Sequence, residues 1–448
     1  MRLRHLGAMA TLFAGTLFAQ TAQFTGRVTD PSQAVIPGAQ IKVTNLDTGI
    51  TREVRTNAEG YFTIPLLPPG KYSIISRAEG FRPVSRSGMT LNEGQVQRFD
   101  IKMDVGQVTE TVEVSGSAPL LEAATSALST VVPNQRIIDM PLNGRNPIAL
   151  STLVPGIRTL GPFGVTPVSA YDGSRMSISG APPSSNSFMV DGIAAENMTS
   201  GGIQLSLSAD ATEEFRIITK NPSAEYGRTG GGVVNLISKS GTNEYHGAAW
   251  EFLRNEALNA NDFFANKAGR GRAPLRFNQY GATLGGPIRK QKTFFFANWE
   301  GVEQRTQSTS TRTVPTGLQR QGDFSQTRTA AGALINVYDP YTTRLDPNSP
   351  GKRIRDAFPK NAIPAARLSP VALAMIKYYP DANQPGVANS LANNFFGQAS
   401  AALSKNLWGI KIDHYFTGSK RMAARFTRDK TFRGTPAFFG FAENGSDI

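Results

Sequence analysis

The stretch YGRTGGGVVNLISKSG, residues 226–241, places Gly230, Gly231 and Gly232 ahead of Lys239 and Ser240, and glycines beside a Lys-Ser pair suggest a phosphate cradle. A Walker A loop needs Gly, four residues, then Gly-Lys-Ser or Gly-Lys-Thr, because backbone N–H groups wrap the phosphates while the lysine reaches them. Here Ser238 precedes Lys239. A dinucleotide fingerprint would need a further glycine at 235, which is Asn235, and the residues that follow favour a strand, so no helix N-terminus is offered to an anion. Other chemistries fare no better. The chain has no cysteine, which excludes disulfides, thiolate metal sites and Cys nucleophiles, and its three histidines, His5, His246 and His414, lie far apart. No Gly-x-Ser-x-Gly elbow or His-Glu-x-x-His occurs. The one Ser-x-x-Lys spacing, Ser349 to Lys352, reads SPGK, a turn rather than the helical turn that such a nucleophile needs. No enzyme activity, cofactor or metal is expected, and the glycines of 226–241 read as a close-packed corner.

Elements must then explain 448 residues, too many for one compact domain. MRLRH is basic, LGAMATLFAGTLFA is apolar, and Ala19 precedes polar QTAQ, so residues 1–19 read as an export signal cleaved after Ala19, with Ala22 as second choice. The apolar run is well short of the roughly 20 residues of a spanning helix. The formal charge of +13 is uneven, because residues 241–448 hold 27 basic and 15 acidic side chains, net +12. Those charges are spread over turns and long loops, and behind an export signal they favour a solvated or lipopolysaccharide-facing surface over nucleic acid.

Residues 20–104 break into seven short β-rich runs, from QFTGRVTD to VQRFDIKM, with Gly49, Gly60, Gly70, Gly80 and Gly94 in the gaps. That spacing predicts a small antiparallel sandwich. DVGQVTETVEVSG follows, with an alternating run from Val108 to Val114 that is either one more sandwich strand or an extended segment with a different task. In 134–241 a helix is predicted from about Pro133 to Met140 and another after Asn146, with Pro147 at its first position. TEEFRIITK is helix or strand, and Val233 to Ser238 is a strand.

From 245 the strands become long and two-faced. Tyr280, Ala282 and Leu284 oppose Gln279, Gly281 and Thr283; Phe295, Ala297 and Trp299 oppose Phe294, Phe296, Asn298 and Glu300. Near the end Trp408, Ile410 and Ile412 oppose Gly409, Lys411 and Asp413, and Met422, Ala424 and Phe426 oppose Arg421, Ala423, Arg425 and Thr427. Such alternation suits an outer-membrane barrel wall, apolar toward lipid, and equally a soluble antiparallel sheet. The export signal and the lack of cysteine favour the wall. Between 303 and 405 a long Pro, Ser and Thr-rich connection contains one short helix, capped by Ser369 with Pro370 at its first position.

NAEGYFTIPLLPPGKY resembles the carboxypeptidase regulatory-like, transthyretin-like sandwich. PLNGRN, FMVDG, EYGRTGGGVVNLISKSGTNEYHGAAWEFLRN, LGGPI, FFFANWEG and VPTGLQRQGDF, in that order, resemble the TonB-dependent outer-membrane receptors, and specifically the Oar-like group with that N-terminal sandwich. The resemblance implies a mainly β chain: a signal peptide at 1–19, a β-sandwich at 20–104, a linker at 105–118, an α+β plug at 119–241, and from 242 to 448 the first part of a 22-stranded transmembrane β-barrel. About five to seven strands fit in that last segment, so the resemblance also implies a fragment truncated at its C-terminus.

Several roles follow by resemblance. Glu110, Thr111, Val112, Glu113, Val114, Ser115 and Gly116 stand where the TonB box should be, the segment that would pair with the TonB–ExbB–ExbD energy-coupling complex. Arg145, Asp191, Gly192, Tyr226, Gly227, Gly230, Gly231 and Gly232 carry the plug's structural motifs, Arg145 being a structural arginine rather than a ligand contact. The function implied is TonB-energised uptake of a scarce ligand, a glycan, siderophore or peptide-like molecule; the alternative is an outer-membrane-anchored adhesin without transport. The implied surroundings are outer-membrane lipid, lipopolysaccharide and an extracellular ligand, with the sandwich in the periplasm.

Overall fold

The computed structural model describes residues 21–106, 112–113, 126–159, 175–197, 202–205, 207–227, 229–261, 263–267, 269, 271–388, 390–434, 438–439 and 446–447. The export segment lies outside these residues, as do Glu110, Thr111, Val114, Ser115 and Gly116. The chain forms two compact units: Met1–Glu251 with Gln279–Gly301 and Asn406–Asp429, and Phe252–Asn278 with Val302–Lys405 and Lys430–Ile448.

The first unit begins with a sandwich. One sheet holds β1 (Ala22–Thr29), β4 (Tyr61–Leu67), β7 (Val96–Arg98) and β8 (Ile101–Lys102). The other has the order β3-β2-β5-β6-β9, with β2 at Gln40–Asn45, β3 at Thr51–Arg55, β5 at Gly70–Arg77, β6 at Val84–Leu91 and β9 at Val112–Glu113. Alternate residues of β1 are buried, including Phe24, which meets Tyr72 edge-on at 6.0 Å between ring centroids. Gly26 is obligatory at its place, because a Cβ there would lie 1.9 Å from the Phe99 carbonyl oxygen. The sandwich is not wholly antiparallel: β1 pairs antiparallel with β4 but parallel with β7 and β8. The chain crosses to the other sheet between these strands and so returns to β1 in the same direction.

A second core follows. Strand β10 (Leu128–Pro133) leads into α1 (Asn134–Asp139), flanked by Pro133 and Met140 as expected. After Asn146, whose side chain accepts from the Ile148 N–H at 3.1 Å, residues Pro147–Leu153 form a 3-10 helix rather than an α-helix. Then come β11 (Ile157–Thr159), β12 (Met176–Ile178), β13 (Ser187–Val190), β14 (Ile193–Ala194), β15 (Glu196–Asn197), β16 (Gly202–Ile203), β17 (Thr212–Lys220) and β18 (Val233–Ser238). TEEFRIITK is thus a strand. The main sheet runs β10-β17-β18-β13-β14, with β18 antiparallel to β17 and parallel to β13. Every residue of β18 is buried, which is why VVNLIS is nearly continuous in apolar residues instead of alternating.

The long strands form one sheet in the order β19-β20-β21-β24-β25-β26: β19 His246–Asn255, β20 Leu275–Arg289, β21 Thr293–Arg312, β24 Phe395–Tyr415, β25 Arg421–Arg433 and β26 Ser446–Asp447. Residues between β19 and β20 include α2 (Phe263–Lys267). Those between β21 and β24 include α3 (Gly317–Arg320), β22 (Arg344–Leu345), β23 (Arg353–Ile354) and α4 (Pro370–Ile376), whose cap is Ser369. Tight turns join β20 to β21 and β24 to β25, so the long connections all leave from the opposite strand ends.

Burial decides between the two readings of this sheet. In β24, Trp408, Ile410 and Ile412 are 53, 44 and 37% exposed, while Lys411 and Asp413 are 5 and 2% exposed. A soluble sheet buries its apolar face and wets its charged one, and this sheet does the reverse, as a wall standing in lipid must. Tyr280, Trp299 and Trp408 adjoin across β20, β21 and β24 as tilted rings with centroids 5.4 and 5.5 Å apart, a band of the kind that flanks the hydrocarbon layer. Among the described residues no helix is long and apolar enough to cross a membrane, which says nothing of strands. Ile410→Arg is expected to cost about 2–4 kcal/mol in urea unfolding from phospholipid vesicles; an unchanged midpoint would show that this face does not meet lipid.

Candidate functional site

The buried charges of the sheet face the second core within the first unit. FMVDG ends β13 in a two-residue turn, Asp191 and Gly192, both in the left-handed region (φ 51° and 73°), the geometry that an Asp-Gly hairpin favours. The turn presents the Asp191 carboxylate to four partners. Ser238 donates its backbone N–H at 2.8 Å and its hydroxyl at 2.6 Å; Arg425 Nε lies at 3.0 Å and Lys411 Nζ at 3.7 Å. Lys411 also donates to the Ser238 carbonyl at 3.1 Å. Two cations from the wall therefore close on one carboxylate of the plug and on the last residue of its central strand. Next to them Asp413 pairs with Arg421 at 2.6 Å along the same inner face.

A second contact lies at PLNGRN. Gly144 and Arg145 take positive φ, which turns the Arg145 side chain to donate to Asp210 at 2.6 Å and to lie over the Trp250 ring of β19 at 5.5 Å. Gln279 of β20 donates to the Gly144 carbonyl at 3.4 Å. Arg145 therefore sits in a half-buried ion pair and a cation–π contact inside the protein.

The glycines of 226–241 divide by environment. A Cβ on Gly231 would lie 2.3 Å from Asn186 Oδ1, and one on Gly232 would lie 2.5 Å from Ile178 Cγ2 and 2.8 Å from the Ile218 carbonyl oxygen. The N–H groups of Gly230 and Gly231 donate to the Ser185 carbonyl at 3.1 and 2.9 Å, and Gly232 donates to Asn186 Oδ1 at 3.1 Å. The donors of this apparent phosphate loop are spent on the protein itself. Gly227 has open space around it and Gly230 only ordinary contact, so crowding does not require glycine there. Tyr226 is buried against Ile218 and Val233.

A third cluster had no signal in the sequence, where MTLNEG reads only as a β-rich run ending at Gly94. Glu93, in the turn after β6, is 1% exposed and Glu214 of β17 is 4% exposed. The Glu93 N–H donates to Glu214 Oε1 at 2.6 Å, Asn235 Nδ2 donates to Glu93 Oε1 at 2.7 Å, and Arg216 Nη1 donates to the Glu93 carbonyl at 2.8 Å. Burial pushes the Glu93 carboxyl up to about 7 against the Asn235 amide and the Arg216 guanidinium, with Glu225 adding to the rise. Burial likewise pushes Glu214 up to about 7, helped by Glu93 and Glu213 and opposed by the Glu93 N–H and Arg216. This cluster joins sandwich to plug.

Of the linker, only Val112 and Glu113 are described; they pair parallel with Val84 and Ser85 at the edge of the sandwich. At the turn end of the wall, the Asn243 N–H donates to the Asp47 carbonyl at 2.9 Å, and Arg52 Nε donates to the Gly418 carbonyl at 2.5 Å. Among the described residues no group of three or more His, Cys, Asp or Glu could hold a metal ion.

A strand wall with an apolar outer face, and a charged inner face closed on a globular plug, defines the class of plugged outer-membrane β-barrel proteins. Comparison agrees. Residues 237–447 match the outer membrane beta barrel domain family, and residues 23–104 match the carboxypeptidase regulatory-like domain family. The chain is 29% identical over 318 residues to the TonB-dependent transporter Oar of Myxococcus xanthus, an alignment that covers 68% of this chain and 29% of that protein. The chain thus carries an outer membrane beta barrel domain segment and a carboxypeptidase regulatory-like domain, resembles the Oar-like TonB-dependent receptors, and is a protein of the cell outer membrane. It spans less than a third of that relative's length. Among solved structures, wild-type catechol 1,2-dioxygenase of Acinetobacter radioresistens is 12% identical over 22% of this chain and 56% of that one, with a TM-score of 0.17. A streptococcal ancillary pilin is 13% identical over 19% and 33%, also with a TM-score of 0.17. Scores so low carry no argument about fold or chemistry.

The Glu93–Glu214 junction predicts a pH dependence. Both carboxyls titrate higher in the folded protein than their ordinary value of 4.5. The folded state therefore holds protons that the unfolded state has released, and stability falls as pH rises from about 4.5 through about 7. Glu93→Gln keeps the acceptor for Asn235 and removes the charge. At pH 8 it is expected to raise local stability by about 1–3 kcal/mol and at pH 4 to change it little. Amide exchange at residues 93–95 and 214–216, corrected for the intrinsic rate, is the measurement; equal effects at both pH values would refute the assignment.

Proposed function

We propose that this chain is the sandwich, plug and first wall strands of a receptor that takes up a scarce ligand across the outer membrane, driven by the TonB–ExbB–ExbD complex. The observation that carries the reading is the closure of Lys411 and Arg425 on Asp191 and Ser238. A plug held in part by charge-assisted bonds can be loosened by a pull on its N-terminal side and can re-form afterwards. Breaking such a buried pair costs about 3–5 kcal/mol, so the plug stays seated without outside work.

The segment from Glu110 to Gly116 supplies the handle. An extended segment can complete a partner's sheet edge, and Val112 and Glu113 already lie in extended pairing with β6. In this reading the pairing with Val84 and Ser85 is a resting place from which the segment transfers to the partner. The sandwich, which touches the tight-turn end of the wall, then belongs on the periplasmic side, since barrels of this kind carry short turns there and long loops outside. The long basic connections form the outer surface, against lipopolysaccharide and the ligand.

Val112→Pro removes a backbone donor from the segment. The expected result is loss of growth on whichever glycan, peptide or metal chelate the wild-type receptor supports, with the normal amount of receptor in the outer membrane. Growth that survives this substitution and deletion of the energy-coupling protein would refute energised uptake and leave an anchored adhesin.

A further inference from the structure

The second unit contains a cavity of about 1060 Å³ among the 256–261, 271–275, 306–309, 383–384 and 396–398 segments. Its chemistry contrasts with the basic sequence around it. Two charged side chains line it, Glu256 and Arg272, and both are engaged in local structure: Arg272 donates to the Glu256 and Ala257 carbonyls at 3.2 and 2.9 Å, and Glu256 accepts from the Leu275 N–H at 3.1 Å. The lining is otherwise rich in side-chain amides. Asn383 is part of the frame, since it exchanges two hydrogen bonds of 2.8 Å with the Phe396 backbone, and Gln384 donates to the Asn393 carbonyl. Asn259, Gln307 and Gln398 make no side-chain hydrogen bond with other described residues, and the Phe396 ring is half-buried in the same lining.

We propose that this cavity binds a neutral polyhydroxylated ligand, an oligosaccharide. Each free amide offers two N–H donors and one carbonyl acceptor, which matches a sugar hydroxyl that both donates and accepts. Phe396 supplies an apolar surface for the C–H face of a sugar ring. The volume is at the upper end of ordinary ligand pockets, room for several sugar units. An anionic chelate or peptide would need free cations, and the one arginine in the lining is already bonded to carbonyls. The proposal rests on the receptor reading above and deepens it by naming the ligand class.

Equilibrium binding to the purified full chain in detergent tests it without any need for energy coupling. The probes are fluorescently labelled hexamers of maltose, cellulose, xylan and laminarin type, with a galacturonic acid hexamer as anionic control. Saturable binding of at least one neutral hexamer is expected, insensitive to salt and weakened roughly five- to tenfold by Gln307→Ala or Gln398→Ala, each of which removes amide hydrogen bonds. Gln398→Glu, at an exposed position, serves as a second variant that keeps the side-chain size. No binding by any neutral hexamer, binding indifferent to these variants, or preference for the anionic hexamer with strong salt dependence would overturn the proposal. The two readings fail separately: energised uptake unaffected by the amide variants sinks the cavity alone, and intact hexamer binding without energised uptake sinks the transport reading alone.

Discussion

Asp191 stands on a hairpin turn where two cations of the wall, Lys411 and Arg425, reach it together with the Ser238 N–H and hydroxyl. Much of the rest is arranged around that carboxylate. A charge on the inner face of a membrane wall must be paired, since neither lipid nor an apolar core will hold it alone. The wall therefore needs a partner for Lys411 and Arg425, and the plug provides one at the end of its fully buried strand β18. The corner at Gly231 and Gly232 sets where β18 begins, and the hairpin at Asp191 and Gly192 lies beside its end. A side chain on Gly232 would strike both Ile178 and the β17 backbone and move the strand that carries Ser238.

The contacts between sandwich and plug follow another rule. Lys411, Arg425 and Asp191 are ionised groups that satisfy one another, whereas Glu93 and Glu214 are two acids brought together in a dry place with no ion pair to either carboxylate among the described residues. Arg216 lies nearby but spends Nη1 on a main-chain oxygen and Nη2 on Ser129. Two acids so placed are most comfortable when protonated. One junction is thus governed by ion pairing and the other by proton uptake, so the two contacts answer to different conditions although Asn235 bonds to both, through Glu93 and Gly192.

Much of this was legible in the residues. The seven runs of the sandwich, the helix starts near Pro133 and after Asn146, the cap at Ser369, and the two-faced strands around Trp408 and Phe426 all follow from local pattern, because turn chemistry and side-chain alternation are properties of neighbouring residues. What local pattern did not carry was the 3-10 form of Pro147–Leu153 and the parallel return of β7 and β8 beside β1, a long-range pairing set by chain path. Nothing within four residues of Glu93 announces the plug strand that buries it.

By itself the sequence determined the period of each strand, the places where only glycine or a capping residue serves, and the separation of apolar from charged side chains within each strand, since these are set by backbone geometry over a few residues. It also carried the resemblance to the TonB-dependent receptors, through several motifs in one order. The tertiary structure decided which face of the wall is covered and which acids meet which cations. Alternation is symmetric between inside and outside, and that symmetry is broken only when another part of the chain arrives to cover one face, as Asp191 and Ser238 do at Lys411.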